Sequence, residues 1–154
     1  MKKFFLTLAL MIAAATSLSA QTVDDLFKEF RDKPNVNFVN IPKVMMSAFA
    51  NKVGSEQSRE RLKNLELLRV IQMEGDKDLQ EQFNKKVKGL SKKGYEQMVN
   101  SNEDGQKAQI LVKTEGEFLK EVLIISIEDD ECALVQICGK LRPEDLEKVG
   151  SLIK

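Results

Sequence analysis

The chain has 154 residues, with 24 basic and 24 acidic side chains, 42% apolar residues, two cysteines and no histidine. That length suits one domain with a sizeable core, and the charge balance leaves no electrostatic footprint for nucleic acid or anionic lipid. Without imidazole, Ser-His-Asp and Cys-His catalysis, His-ligated zinc and histidine proton shuttles are excluded, whereas carboxylate-pair and Ser-Lys chemistry stay open but have no recognisable motif.

Lys2 and Lys3 precede an uncharged run from Phe4 to Ala15, and Thr16-Ser17-Leu18-Ser19-Ala20 then leads into Gln21. A basic head, a short apolar stretch and a small-residue exit describe a secretory signal peptide over residues 1–20, cut after Ala20. The apolar part is too short to cross a hydrocarbon core of about 30 Å. The expected mature chain is residues 21–154, or 154 − 20 = 134 residues, as one domain. Losing Lys2 and Lys3 leaves 22 basic against 24 acidic groups, a net charge of −2. Its expected location is periplasmic or extracellular, soluble, with no stable membrane span in the mature form.

Thr22 can cap a helix whose first turn holds Asp24 and Asp25 and whose apolar face is Val23, Leu26, Phe27 and Phe30. Val36 to Ile41 is extended, Pro42 ends it, and a Met-rich helix follows from about Lys43 to Val53 with Gly54 as its stop. Ser55 to Lys63 is polar and reads as a loop. Leu65 to Met73 reads as a strand. Asp76 then caps a helix from Lys77 to Leu90, with Leu79, Phe83, Val87 and Leu90 as its stripe.

Gly94-Tyr95 turns into a short strand ending near Asn100. Asn102-Glu103-Asp104-Gly105 is a turn signal before a strand from Gln106 to Lys113. Glu115-Gly116-Glu117 turns into Phe118 to Ile127, and Glu128 to Glu131 turns into Cys132 to Cys138. Leu141-Arg142-Pro143 opens a last helix with Leu146, Val149 and Ile153 as its stripe. This order predicts an α+β fold, a single domain with a mostly antiparallel sheet of about five strands and helices packed on it. The strands at Leu65–Met73 and Tyr95–Asn100, joined through a helix, are expected to be parallel.

The late strands are apolar on both faces. Phe118, Val122 and Ile124 alternate with Leu119, Leu123, Ile125 and Ile127, and Leu134 opposes Ala133, Val135 and Ile137. Both faces must therefore be covered. The helices at Lys77–Leu90 and Pro143–Ile153 can cover one. The N-terminal helices Val23–Phe30 and Lys43–Val53, or a second copy of the chain, are expected on the other.

Candidate sites meet a structural reading at each point. The acidic turn Glu128–Glu131 lacks the spacing of a calcium loop and reads as a solvated tip. Asp24 and Asp25, with Glu29 and Asp32, suit a helix start better than a carboxylate dyad. Lys85, Lys86, Lys88, Lys92 and Lys93 read as a solvated face. Met45, Met46 and Phe49 are core residues or an adaptable partner surface. Tyr95 is expected half-buried at a strand start, with stacking on a ligand as its other use. Cys132 and Cys138 share one strand and one face at about 20 Å, beyond the roughly 7 Å Cα separation of a disulfide. They read as buried, unpaired small hydrophobes, with an intermolecular bridge or reactive thiol as the alternative.

Leu26-Phe27-Lys28-Glu29-Phe30, Val39-Asn40-Ile41, Lys43-Val44-Met45-Met46, Gly94-Tyr95-Glu96, Leu134-Val135-Gln136-Ile137 and Gly139-Lys140-Leu141 together resemble one family. It is a family of small exported envelope proteins of Gram-negative bacteria with a domain of unknown function. The chain departs from it where Pro42 follows Ile41, in place of a small polar cap. The resemblance implies an envelope protein and supplies no catalytic, cofactor-binding or metal-binding residue. The resulting expectation is a non-catalytic envelope module that binds a protein or surface component, as a monomer or homodimer, without cofactor. The alternative is a small hydrolase or small-ligand enzyme using carboxylate or lysine chemistry. A pocket with convergent acids or lysines would favour the enzyme, and a flat apolar patch the module.

Overall fold

A computed structural model describes residues 22–52, 54–90 and 92–145. The signal peptide expected at 1–20 and the stripe Leu146, Val149 and Ile153 lie outside those residues. Helix α1 (Val23–Phe30) begins with a reciprocal capping box, in which Thr22 Oγ1 accepts from the Asp25 amide and Asp25 Oδ2 from the Thr22 amide, both at 3.2 Å. Strand β1 (Val36–Pro42) runs into α2 (Lys43–Ala50), where Pro42 occupies the capping position without a side-chain bond.

The expected loop at Ser55–Lys63 is instead a helix, α3 (Glu56–Lys63), capped by Ser55 Oγ from the Ser58 amide at 3.2 Å. It buries no side chain, so it lacks the apolar period by which helices are read. Its signals are the Ser55 cap, Glu56 in the first turn, and Arg61 and Lys63 in the last.

Strands β2 (Leu65–Glu74), β3 (Glu96–Glu103), β4 (Gln106–Glu115), β5 (Phe118–Ile127) and β6 (Glu131–Leu141) complete one sheet in the order β1-β2-β6-β5-β4-β3. It has six strands rather than about five, and every pairing is antiparallel. β2 and β3 do run in the same direction, but three strands separate them, so the helix between them, α4 (Lys77–Lys88), joins distant parts of the sheet. The β3–β4 hairpin closes on Asp104 and Gly105 with φ of 52° and 81°, the paired left-handed geometry of a two-residue turn.

The first face of the sheet carries the main core. Ile71, Met73, Leu111, Leu123, Ile125, Ile127, Cys132 and Leu134 pack with Val23, Leu26, Phe27 and Phe30 of α1 and Leu79, Phe83 and Val87 of α4. Phe30 meets Phe83 edge-on, with ring centroids 5.4 Å apart. Helix α1 therefore joins α4 on this face, contrary to the expectation that it covers the other, because Phe30 packs directly against Phe83.

The second face carries Val112, Leu119, Val122, Ile137 and Leu141, flanked by Leu65, Leu68, Ile110, Ile124 and Val135. Among the described residues this cluster consists of strand residues alone. Leu119 was expected opposite Val122, but an irregularity between Leu119 and Glu121 shifts the register and brings it to Val122's side. One row on this face crosses all six strands as Val39, Val70, Val135, Ile124, Ile110 and Val99. Its inner four members are half-buried and both ends exposed.

Candidate functional site

At one end of the first face the sheet turns polar. Arg69, Gln136 and Glu121 stand in the same inward alternation as Ile71, Leu134 and Leu123, so three polar side chains replace core residues there. Gln136 Nε2 donates to Glu121 Oε1 and Tyr95 Oη donates to Glu121 Oε2 at 2.6 Å. Lys113 Nζ lies 3.8 Å from the same Oε2 and 4.4 Å from the Tyr95 ring centroid. Arg69 Nε donates to Gln136 Oε1 at 2.7 Å, Arg69 also donates to Asp24 Oδ1 at 2.9 Å, and its guanidinium stacks on Phe27.

The cluster is closed. Both oxygens of the buried Glu121 are engaged, and Lys113 supplies the compensating charge. Burial, then the hydrogen bond to Glu121, push the Tyr95 phenol well above its ordinary range. Cys138 sits opposite Glu121 in the register, and burial followed by that carboxylate's charge push its thiol up to about 11. Protonated thiol and phenol are poor nucleophiles, and the side chains of the arrangement tie neighbouring elements together. It joins α1, β2, β6, β5 and the segment before β3 into one network.

The remaining candidates divide. Asp25 is consumed by the α1 cap, and Asp24 bridges to Arg69 and to Lys28 at 3.2 Å. Hydrogen bonds from Arg69 and then Lys28 hold the Asp24 carboxyl below its usual range. In the acidic turn, the Glu128 amide donates to Glu131 O and Glu131 accepts from Gln72, so the segment is a hairpin tip. Among the described residues no three acidic or cysteine side chains gather as metal ligands. Tyr95 is half-buried directly before β3, and Cys132 and Cys138 are free, Cys132 with a pKa pushed to about 11 by burial. The lysine run splits: Lys86 faces Glu29 at 3.8 Å, whereas Lys88 and Lys92 turn to Lys107 across a cavity.

Large apolar side chains are exposed in two places. Met98 and Val99 lie on the outer strand β3, and Val39, Val44, Met45 and Phe49 lie on β1 and α2, with Val44 82% exposed. Met46 and Ala50 are the buried side of α2, so Met45 and Phe49, one turn apart, form a separate outward stripe. The helix carries no acid in its first turn and no base in its last.

Residues 28–149 match the family described as domain of unknown function DUF4252, and the chain belongs to that family. No curated protein and no solved structure matches it.

Proposed function

We propose that this member of the DUF4252 family is an exported, non-catalytic module that binds a protein partner through β1 and α2. The observation carrying this reading is the outward stripe of Val44, Met45 and Phe49 with Val39 beside it. Four large apolar side chains within eleven residues, on two elements in contact, are unusual on a free surface. Aromatic and Met side chains, with Lys43 the single charge in the segment, suit a protein rather than an anionic polymer. The closed Glu121 cluster supports the non-catalytic half of the reading, because its acid is saturated and its thiol and phenol are protonated.

The test places a photo-crosslinking residue at Phe49 of the full chain in cells that make it, with Lys120 as a control position. A discrete product from position 49 that disappears with Met45→Asp is expected. A product of twice the chain mass, with a dimer of the purified protein by light scattering, would identify a second copy as the partner. Equal labelling at both positions would sink the proposal. Export is tested on the same material: mass spectrometry should find Gln21 first, and an intact precursor as the sole form would remove that part.

A further inference from the structure

Over the outer strands of the first face, the second half of α4 roofs a cavity of about 330 Å³. Its floor is laid by pairing, with Asn100 opposite Gln109 and Asn102 opposite Lys107 on β3 and β4, and Ile127 beside Lys107 on β5. Asn84 and Lys88, one helical turn apart, form the roof, and Lys92 approaches from the segment after α4. Gln109 Nε2 is committed to Gln97 Oε1 at 3.0 Å, which fixes that part of the floor.

Three ammonium groups thus converge, and among the described residues none of them is ion-paired. Attraction to a helix C-terminus accounts for Lys85, Lys86 and Lys88. It does not account for Lys92, which lies beyond the helix, or for Lys107, which rises from the sheet. Burial first, then repulsion from Lys92 and Lys88, hold the Lys107 pKa below its ordinary value. The Asp129 carboxylate stands at the rim near Gly105 and is paired with none of the three. A second observation is independent of charge: Asn84 Oδ1 in the roof is buried and has no hydrogen-bond partner. Buried amide oxygens are ordinarily matched, so this one is an unmet acceptor that a small turn of the Asn84 side chain would bring to a ligand.

We propose that this pocket binds a small hydroxylated oxyanion of the sugar-phosphate class. The phosphomonoester would sit among Lys88, Lys92 and Lys107, whose point charges suit a dianion. Hydroxyls, which both donate and accept, match the side-chain amides of Asn84, Asn100 and Asn102. The volume lies at the lower end of the roughly 300–1,000 Å³ found for small-ligand sites, so a single sugar fits and a polymer does not. The same chemistry occurs in a soluble sugar phosphate and in a phosphorylated-sugar head group of a lipid. This site is separate from the α2 stripe and stands or falls without it.

Calorimetric titration of the mature chain with glucose 6-phosphate, inorganic phosphate and glucose tests the site. A parallel flotation uses phosphatidylcholine vesicles with and without a phosphoinositide. Glucose 6-phosphate should bind, glucose should not, and the affinity should fall with added salt. Lys88→Gln with Lys92→Gln alters two exposed side chains and should weaken binding about tenfold or more. Lys85→Gln, outside the pocket, should leave it unchanged, and melting curves confirm that each variant is folded. Binding to the phosphoinositide vesicles alone, lost in the same double variant, assigns the head group as the source. No binding from either source, equal binding of glucose, or full affinity in the folded double variant overturns the proposal.

Discussion

Tyr95 Oη donates a 2.6 Å hydrogen bond to Oε2 of the buried Glu121, and Lys113 lies against both, over the ring and 3.8 Å from the same oxygen. Removing the hydroxyl leaves that oxygen with a long ion pair alone. Tyr95→Phe should therefore cost about 1.5–3 kcal/mol, the range for a hydrogen bond to a charged group. Urea unfolding followed by circular dichroism measures it through the shift in midpoint at constant slope. An unchanged midpoint would mean that water replaces the hydroxyl and the cluster is open.

Both thiols should be slow to react in the folded chain and unpaired. Their pKa values stand at about 11, so at pH 8 only about one thiol in a thousand is a thiolate, against roughly one in four at an unperturbed 8.5. A thiol reagent should find two free groups in denatured, unreduced protein, with a much slower rate before denaturation. A rapid native reaction at Cys138 would show the Glu121 end of the sheet exposed. No thiols in a denatured monomer would contradict the strand geometry.

Gly139 has φ of 155°, and a Cβ there would lie 2.3 Å from Asn64 O and 2.9 Å from Leu65 Cα. The close approach belongs to the crossing where the Lys140 amide donates to Asn64 O at 2.9 Å, joining the end of β6 to the entry of β2. Both obstructing atoms are backbone and cannot rotate away. Gly139→Ala should lower stability by at least about 2 kcal/mol, as overpacking and backbone strain add. Gly116→Ala, which meets nothing within 4 Å at φ of 62°, isolates the conformational part and should cost less. Equal losses in the two variants would show that contact at Gly139 is relieved by movement.

Most elements were legible because their apolar residues recur at one period. Val23, Leu26, Phe27 and Phe30 marked α1, Leu79, Phe83 and Val87 marked α4, and Asp104-Gly105 marked the hairpin. α3 was not, because EQSRERLK has no apolar face and its evidence is confined to its ends. Strand order was also out of reach, since the insertion of β6 between β2 and β5 depends on long-range pairing. The Glu121 cluster left one trace: Arg69, Glu121 and Gln136 each hold a core-facing position in otherwise apolar alternation. A long apolar run marks a strand more strongly than a single polar residue within it marks a site. The lysine pocket was hidden because Lys107 is fifteen residues from Lys92 and on a different element, so the run Lys85–Lys93 gave no sign of a third cation across from it.

Lys107 should be a residue whose removal stabilises the protein. Its ammonium is half-buried beside Lys88 and Lys92, and the native pKa is held below the 10.5 of the unconstrained group. Below the native pKa both folded and unfolded chains are protonated, and the whole penalty acts on the fold. As pH rises from the native pKa towards 10.5, the folded chain releases the proton first, and stability climbs by the amount the penalty had removed. Lys107→Met keeps an apolar stem of similar reach and discards the charge. It should raise stability at neutral pH and flatten the rise on the alkaline side. Thermal melts of both proteins in matched buffers at intervals from pH 7 to 10.5 separate these effects. A variant less stable than the parent at pH 7, with the alkaline rise intact, would mean that Lys107 is stabilised by its surroundings and that the pocket holds no excess of positive charge.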